Sequence, residues 1–329
     1  MNKRRTFLTS TGASISLTAL SARGQSPKRL PVVGALMLRP PDKPPALLRH
    51  FIAGLRELGW EERRNMVIEH RFTDGTYAKL PELAAELVQL SPDLILVGSN
   101  PAADQVRKLT SSIPIVMTSA IDPIGTGLIA SFRRPGGNVT GIAWDQSPGV
   151  TGKYVEFLKE FVPHLRRLGC LIDPVTKGIA LYRDHLEAAC KQLGVTVAHR
   201  EVSSPADIGP AIQSLAEQNA QALFCYGSPM IFNQLQQIAA LAQKFRLPDM
   251  YIFKEALGYG GLMSYGPSQV AMYHRAAYYA DKILKGAKPG ELPMEQPTIY
   301  ELMISRKAAT RLGLTIPPAL LARADEVID

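Results

Sequence analysis

Short, uninterrupted apolar runs constrain this chain more than any other feature. Leu-Ile-Leu-Val at 94–97 and Ile-Pro-Ile-Val at 113–116 show no polar alternation. Strands formed there must be covered on both faces, as in a parallel sheet between two helix layers. The spacing predicts strands over 30–38, 65–72, 93–98, 113–118 and 139–144, with helices over 45–59 and 80–90. In the first helix Leu47, Leu48, Phe51, Ile52, Leu55 and Leu58 share one face, and Gly59 supplies the stop. The grammar then repeats, with helices over 149–162, 179–194, 206–218 and 230–245 and strands over 167–172, 195–200, 222–227 and 250–253. A long helix over 269–286, a strand over 296–304 and a short helix close the chain. Two successive doubly wound parallel sheets, joined near 141–150, fit this order better than one giant sheet. The fold class expected is α/β.

A chain of 329 residues suits two lobes of roughly 120–150 residues each. Half of the net charge of +8 comes from Lys3, Arg4, Arg5 and Arg23, within 24 residues that hold no acid. The rest carries no basic run, which argues against a nucleic-acid partner. The basic start, the weakly apolar stretch Phe7–Ala22 and the small residues after it predict an export leader over 1–24. Within it Arg4-Arg5-Thr6-Phe7-Leu8 resembles a twin-arginine signal. No segment offers about 18 unbroken apolar residues for a spanning anchor, and no cysteine near the leader offers a lipid anchor. Cys170, Cys190 and Cys225 are too few and too scattered for a disulfide framework.

Motifs for catalysis are weak. Gly125-Thr126-Gly127-Leu128-Ile129-Ala130 fits G-x-G-x-x-A, with Asp145 about 20 residues on. However, Asp122-Pro123-Ile124 separates the glycines from the strand that should present them, so an exported nicotinamide-dependent oxidoreductase is the alternative rather than the first reading. Gly261-Leu262-Met263-Ser264-Tyr265-Gly266 misses a nucleophile elbow by one residue. The six histidines lack metal-binding spacing, so no metal, cofactor or catalytic residue is expected.

The ends of the predicted strands carry more chemistry, and ligands of open α/β sheets sit there. The first lobe offers Ser99, Asn100, Ser119 and Asp122; the second offers Asp173, Tyr226, Ser228 and Glu255. Thr140 and Trp144 stand where the first lobe leads into the second, Trp144 as an aromatic wall. Facing one another across a cleft, these groups would suit a small zwitterion, with helix N-termini for its carboxylate and an Asp or Glu for its amine.

SFRRPGGNVTG (131–141), GLRELGW (54–60), KLPELAAELVQLSPDLILV (79–97), GGLMSYGP (260–267), AYYADKILKGAKPGELPMEQPT (277–298) and LTIPPALLARADEVID (314–329) together resemble the bacterial ABC transporter substrate-binding family that includes tryptophan-type binding lipoproteins. The resemblance covers the mature chain in order. It implies a type 1 periplasmic binding protein: two flavodoxin-like lobes, a three-segment hinge and a ligand clamped between lobes. The lobes would comprise 30–141 with 267–295, and 142–260 with 296–329. The implied role is capture of a small organic ligand, an amino acid or other small carboxylate, by a periplasmic monomer serving an inner-membrane ABC permease. A sensing role without transport is the further alternative. The chain departs from the family at Glu62-Arg63-Arg64, at Ser99-Asn100 and at Trp144; the last two bear on ligand identity.

Overall fold

The structure, a computed structural model, describes residues 29–40, 46–144 and 147–329. The leader and Asp145 lie outside the described residues. Pro31–Asp329 forms one compact unit, and it holds two sheets.

The first sheet has five parallel strands, β1 (Val32–Met37), β2 (Val67–Phe72), β3 (Leu94–Val97), β4 (Ile115–Ala120) and β5 (Val139–Ala143), in spatial order β2-β1-β3-β4-β5. Every residue of β3 is buried, as its unbroken apolar run requires. The sheet's helices are α1 (Ala46–Glu57), α2 (Leu80–Gln89) and α3 (Asn100–Leu109).

After α4 (Pro148–Phe161) comes a second sheet: β6 (Arg167–Ile172), β7 (Thr196–Glu201), β8 (Ala222–Cys225), β9 (Asp249–Tyr251), β10 (Met263–Pro267), β11 (Tyr300–Ser305) and β12 (Glu326–Ile328). Its order is β12-β11-β10-β9-β8-β6-β7. Strands β6 to β10 run parallel, β11 is antiparallel to β10, and β12 is parallel to β11. The helices over this part of the chain are α5 (Ile179–Gln192), α6 (Pro205–Glu217), α7 (Pro229–Asn233), α8 (Leu235–Lys244), α9 (Gln269–Leu284), α10 (Arg306–Leu312) and α11 (Pro318–Arg323).

Helix α9 leaves the second sheet and packs on α1 of the first lobe. Two side-chain bonds fix it there: His274 Nε2 to Glu57 Oε2 at 3.0 Å, and Trp60 Nε1 donating to Asp281 Oδ1 at 2.9 Å. Ser264, in β10, is 1 % exposed, with no turn to present its hydroxyl.

The structure departs from the sequence reading at several places, these among them. The helix expected over 230–245 is two, because Gln234 adopts φ −113°, ψ 14° between α7 and α8. The strand expected from 296 begins at Tyr300, after Pro297. The strand expected to reach 253 ends at Tyr251, freeing Ile252 and Phe253 for the turn beyond it. Strand β12 was not foreseen: a three-residue edge strand in an acidic tail has no period to detect, and only its pairing of Glu326–Ile328 with Met303–Ser305 defines it.

Candidate functional site

The carboxyl ends of parallel strands from both sheets converge on one cavity of about 70 Å³. The first lobe contributes Arg39 beyond β1, Ser99 and Asn100 beyond β3, and Ser119 at the end of β4; the second contributes Thr176 beyond β6, Ser228 beyond β8 and Phe253 beyond β9. This is where parallel α/β sheets hold ligands.

The same local grammar builds both walls. Ser99 is extended and caps α3, its hydroxyl accepting from Ala102 N at 3.5 Å, and Ser228 caps α7 by accepting from Ile231 N at 3.1 Å. Each serine follows a glycine that leaves room for an aromatic ring. A Cβ on Gly98 would lie 2.7 Å from the Tyr273 hydroxyl, and one on Gly227 would lie 2.1 Å from Trp144 Cζ3.

Three aromatic rings form the apolar side. Trp144 meets Phe253 edge-on with centroids 5.4 Å apart, and Phe253 meets Phe232 edge-on at 4.9 Å. The Arg39 guanidinium lies over the Phe232 ring, 5.1 Å from its centroid. Trp144 is 6 % exposed, yet its Nε1 has no hydrogen-bond partner among the described residues. Such a buried donor costs about 1–3 kcal/mol unless an acceptor reaches it.

Polar side chains tie the two lobes together. Asn100 accepts from Ile121 N at 2.9 Å while its amide donates to Ile121 O at 2.6 Å and, across the cleft, to Lys177 O at 3.1 Å. Asn233 donates to Leu38 O at 2.9 Å, and Lys177 pairs with Asp104 at 2.8 Å. The Tyr77 hydroxyl donates to Asp173, which also accepts from Val175 N at 3.0 Å and the Thr176 hydroxyl at 3.3 Å. Burial raises the pKa of Asp173, and these donors oppose that rise.

Of the residues expected at the site, Ser99, Asn100, Ser119, Trp144 and Ser228 line the cavity. Five others lie outside its lining, each for a visible reason. Asp122 (φ 42°) turns back to accept from Gly125 N at 3.0 Å. Thr140 donates to Leu292 O at 2.8 Å. Asp173 is engaged by Tyr77. Tyr226 sits in the second lobe's aromatic core against Tyr182 and Phe224, its hydroxyl 3.1 Å from His199 Nε2. Glu255 lies two residues past Phe253; its buried Oε2 has no hydrogen-bond partner among the described residues, and burial raises its pKa.

Arg39, Phe232, Asn233, Phe253, Gln269 and Tyr273 line the cavity without having been foreseen. Arg39 could have been found by treating the end of the first strand like the others. Phe232 and Tyr273 sit in helices, where one sequence cannot separate a cleft-facing ring from a core one. The Gly125 motif is a turn whose amides are already committed: Gly125 N to Asp122 Oδ1, Thr126 N to Asp122 O and Gly127 N to Ile124 O. They are not free to cradle a pyrophosphate. Among the described residues no cluster of three His, Cys, Asp or Glu could hold a metal, and no helix is long and apolar enough to cross a membrane.

Known proteins are similar to this chain in sequence and fold. A family model described as "ABC transporter substrate binding protein" matches residues 45–328. A "Tyrosine-binding protein" of Clostridioides difficile is 24% identical over 264 residues, 80% of this chain and 75% of that protein. A solved "conserved domain protein" from Vibrio cholerae superposes with TM-score 0.85 at 26% identity, covering 91% of this chain and all of the other. An ABC domain in complex with L-Trp from Streptococcus pneumoniae gives TM-score 0.84 at 24% identity, again over 91% and 100%. The two α/β lobes are those of a type 1 periplasmic binding protein, and the family's members are solute-binding proteins. The chain belongs to the ABC transporter substrate-binding protein family.

Proposed function

We propose that this protein captures a small organic carboxylate with an apolar body, of amino-acid size, and delivers it to an inner-membrane ABC permease. It does so as a freely soluble periplasmic monomer, and it catalyses no reaction. The observation that carries this reading is the inter-lobe cavity with one apolar aromatic wall, an unpartnered buried indole N–H on Trp144 and the Arg39 guanidinium beside them. A carboxylate pairs with the guanidinium, and an apolar group covers the rings. The names of two relatives, one tyrosine-binding and one solved with L-Trp, support a ligand of that size. The export leader and the family's permease partners support the place and the role.

The protein purified from a periplasmic fraction should carry a small carboxylate detectable by native mass spectrometry. Ligand added at 100 times its dissociation constant should raise apparent stability by about 2.7 kcal/mol. A co-purified dinucleotide, or no stabilisation by any amino acid or monocarboxylate, would overturn the reading.

A further inference from the structure

Arg39 is the one charged side chain among the described residues that line the cavity. It forms no ion pair among the described residues. A guanidinium stacked on a ring uses its face and keeps its N–H fork in the plane for a carboxylate; Arg39 lies in this way over Phe232. The Trp144 ring lines the same cavity, while its buried indole N–H has no partner among the described residues. No carboxylate lines the cavity itself; the buried carboxyl of Glu255, just outside the lining, lies within electrostatic reach of Arg39. Asp173 is held by Tyr77, Val175 and Thr176, and Asp122 by Gly125. Glu255 stands outside the lining.

Building on the small-carboxylate reading, we infer that this cleft selects by charge: its ligand is an apolar or aromatic monocarboxylate without an ammonium group, and Arg39 is the residue that sets this preference. An ammonium brought into the cavity would lose its hydration beside a guanidinium, with no carboxylate in the lining to offset the loss. The carboxylate alone gains the Arg39 fork. Burial raises the pKa of Glu255, which weakens it as a counterion even for a ligand that reached it.

The test compares pairs that differ only by the ammonium group: 3-phenylpropanoate against L-phenylalanine, and 4-methylpentanoate against L-leucine, titrated calorimetrically into the full mature protein. The acid of each pair should bind at least about tenfold more tightly. Arg39→Gln should weaken the acids by about 30-fold or more, and Arg39→Lys should restore part of that loss because the charge returns without the fork. Thermal melts confirm that both variants fold. Amino acids that bind as tightly as their deaminated partners, or acids that bind Arg39→Gln unchanged, would overturn charge selection and leave the small-carboxylate function standing. If none of the four binds, the function proposed above fails and this inference falls with it.

Discussion

Gly227→Ala adds one methyl at the point where the second lobe meets Trp144. Its Cβ would lie 2.1 Å from Trp144 Cζ3, 2.5 Å from Cη2 and 3.3 Å from Ile252 Cδ1. Carbon atoms rest at about 3.5–4.0 Å, so the indole must retreat by roughly 1.4 Å or the strand end must shift. The ring has little room to do so, being 6 % exposed and packed edge-on against Phe253. Overpacking of this kind costs about 1–3 kcal/mol. The clash is with the far edge of the indole, which Trp144→Leu removes. In the Trp144→Leu background Gly227→Ala should therefore cost less than about 0.5 kcal/mol, giving a coupling within the range seen for residues in contact. Urea unfolding of the four proteins, followed by far-UV circular dichroism, measures this. An equal cost in both backgrounds would refute the reasoning and place the penalty in the backbone.

Ligand binding should change tryptophan emission in wild type and in Trp60→Phe but not in Trp144→Phe, since Trp60 is bonded to Asp281 away from the cavity; a full response in Trp144→Phe would remove that ring from the site. Asp122→Asn should leave affinity within about twofold, because Asp122 serves its own turn and Asn tolerates its left-handed backbone; a large loss on titration would return the carboxylate to the site. Asp249, fully buried and accepting from the Tyr251 hydroxyl at 2.6 Å and Leu262 N at 2.8 Å, is pushed up to about 6 by burial. The folded state thus holds this proton more tightly than the unfolded chain, so the contribution is full below about 4 and lost as pH rises through about 6. Urea midpoints across that window should fall with pH in wild type and flatten in Asp249→Asn, and parallel profiles would refute the assignment.

The alternation of apolar runs and amphipathic stretches made the two sheets legible, because burial on both faces leaves a strand no polar residue to carry. Ser99 and Ser228 were legible for a related reason: a helix that starts at a strand end needs a cap, and the cap stands at the mouth of the cleft. Asp173 and Tyr226 show where such reading stops. Both follow buried strands, as Ser228 does, but Asp173 points to Tyr77 on the other lobe and Tyr226 into the helix layer. Strand-end position gives the neighbourhood of a side chain, and tertiary packing gives its direction. Arg39 marks the complementary gap: nothing local distinguishes it from a solvated arginine, and only the placing of Phe232 beneath it, from nearly two hundred residues on, turns it into a cleft residue.

The bonds between lobes and the donors left over act in opposite senses on closure. Asn100 to Lys177 O, Asn233 to Leu38 O and Tyr77 to Asp173 exist only with the lobes together, and each such bond is worth about 0.5–1.5 kcal/mol. Against them stands the Trp144 N–H, whose burial without an acceptor costs about 1–3 kcal/mol. Three bonds thus favour the arrangement seen here, and one orphaned donor stands against it. Driving a two-state closure from 1:99 to 99:1 takes about 5.5 kcal/mol of differential binding, and a ligand that closes such a cleft draws that energy from contacts made only between the closed lobes.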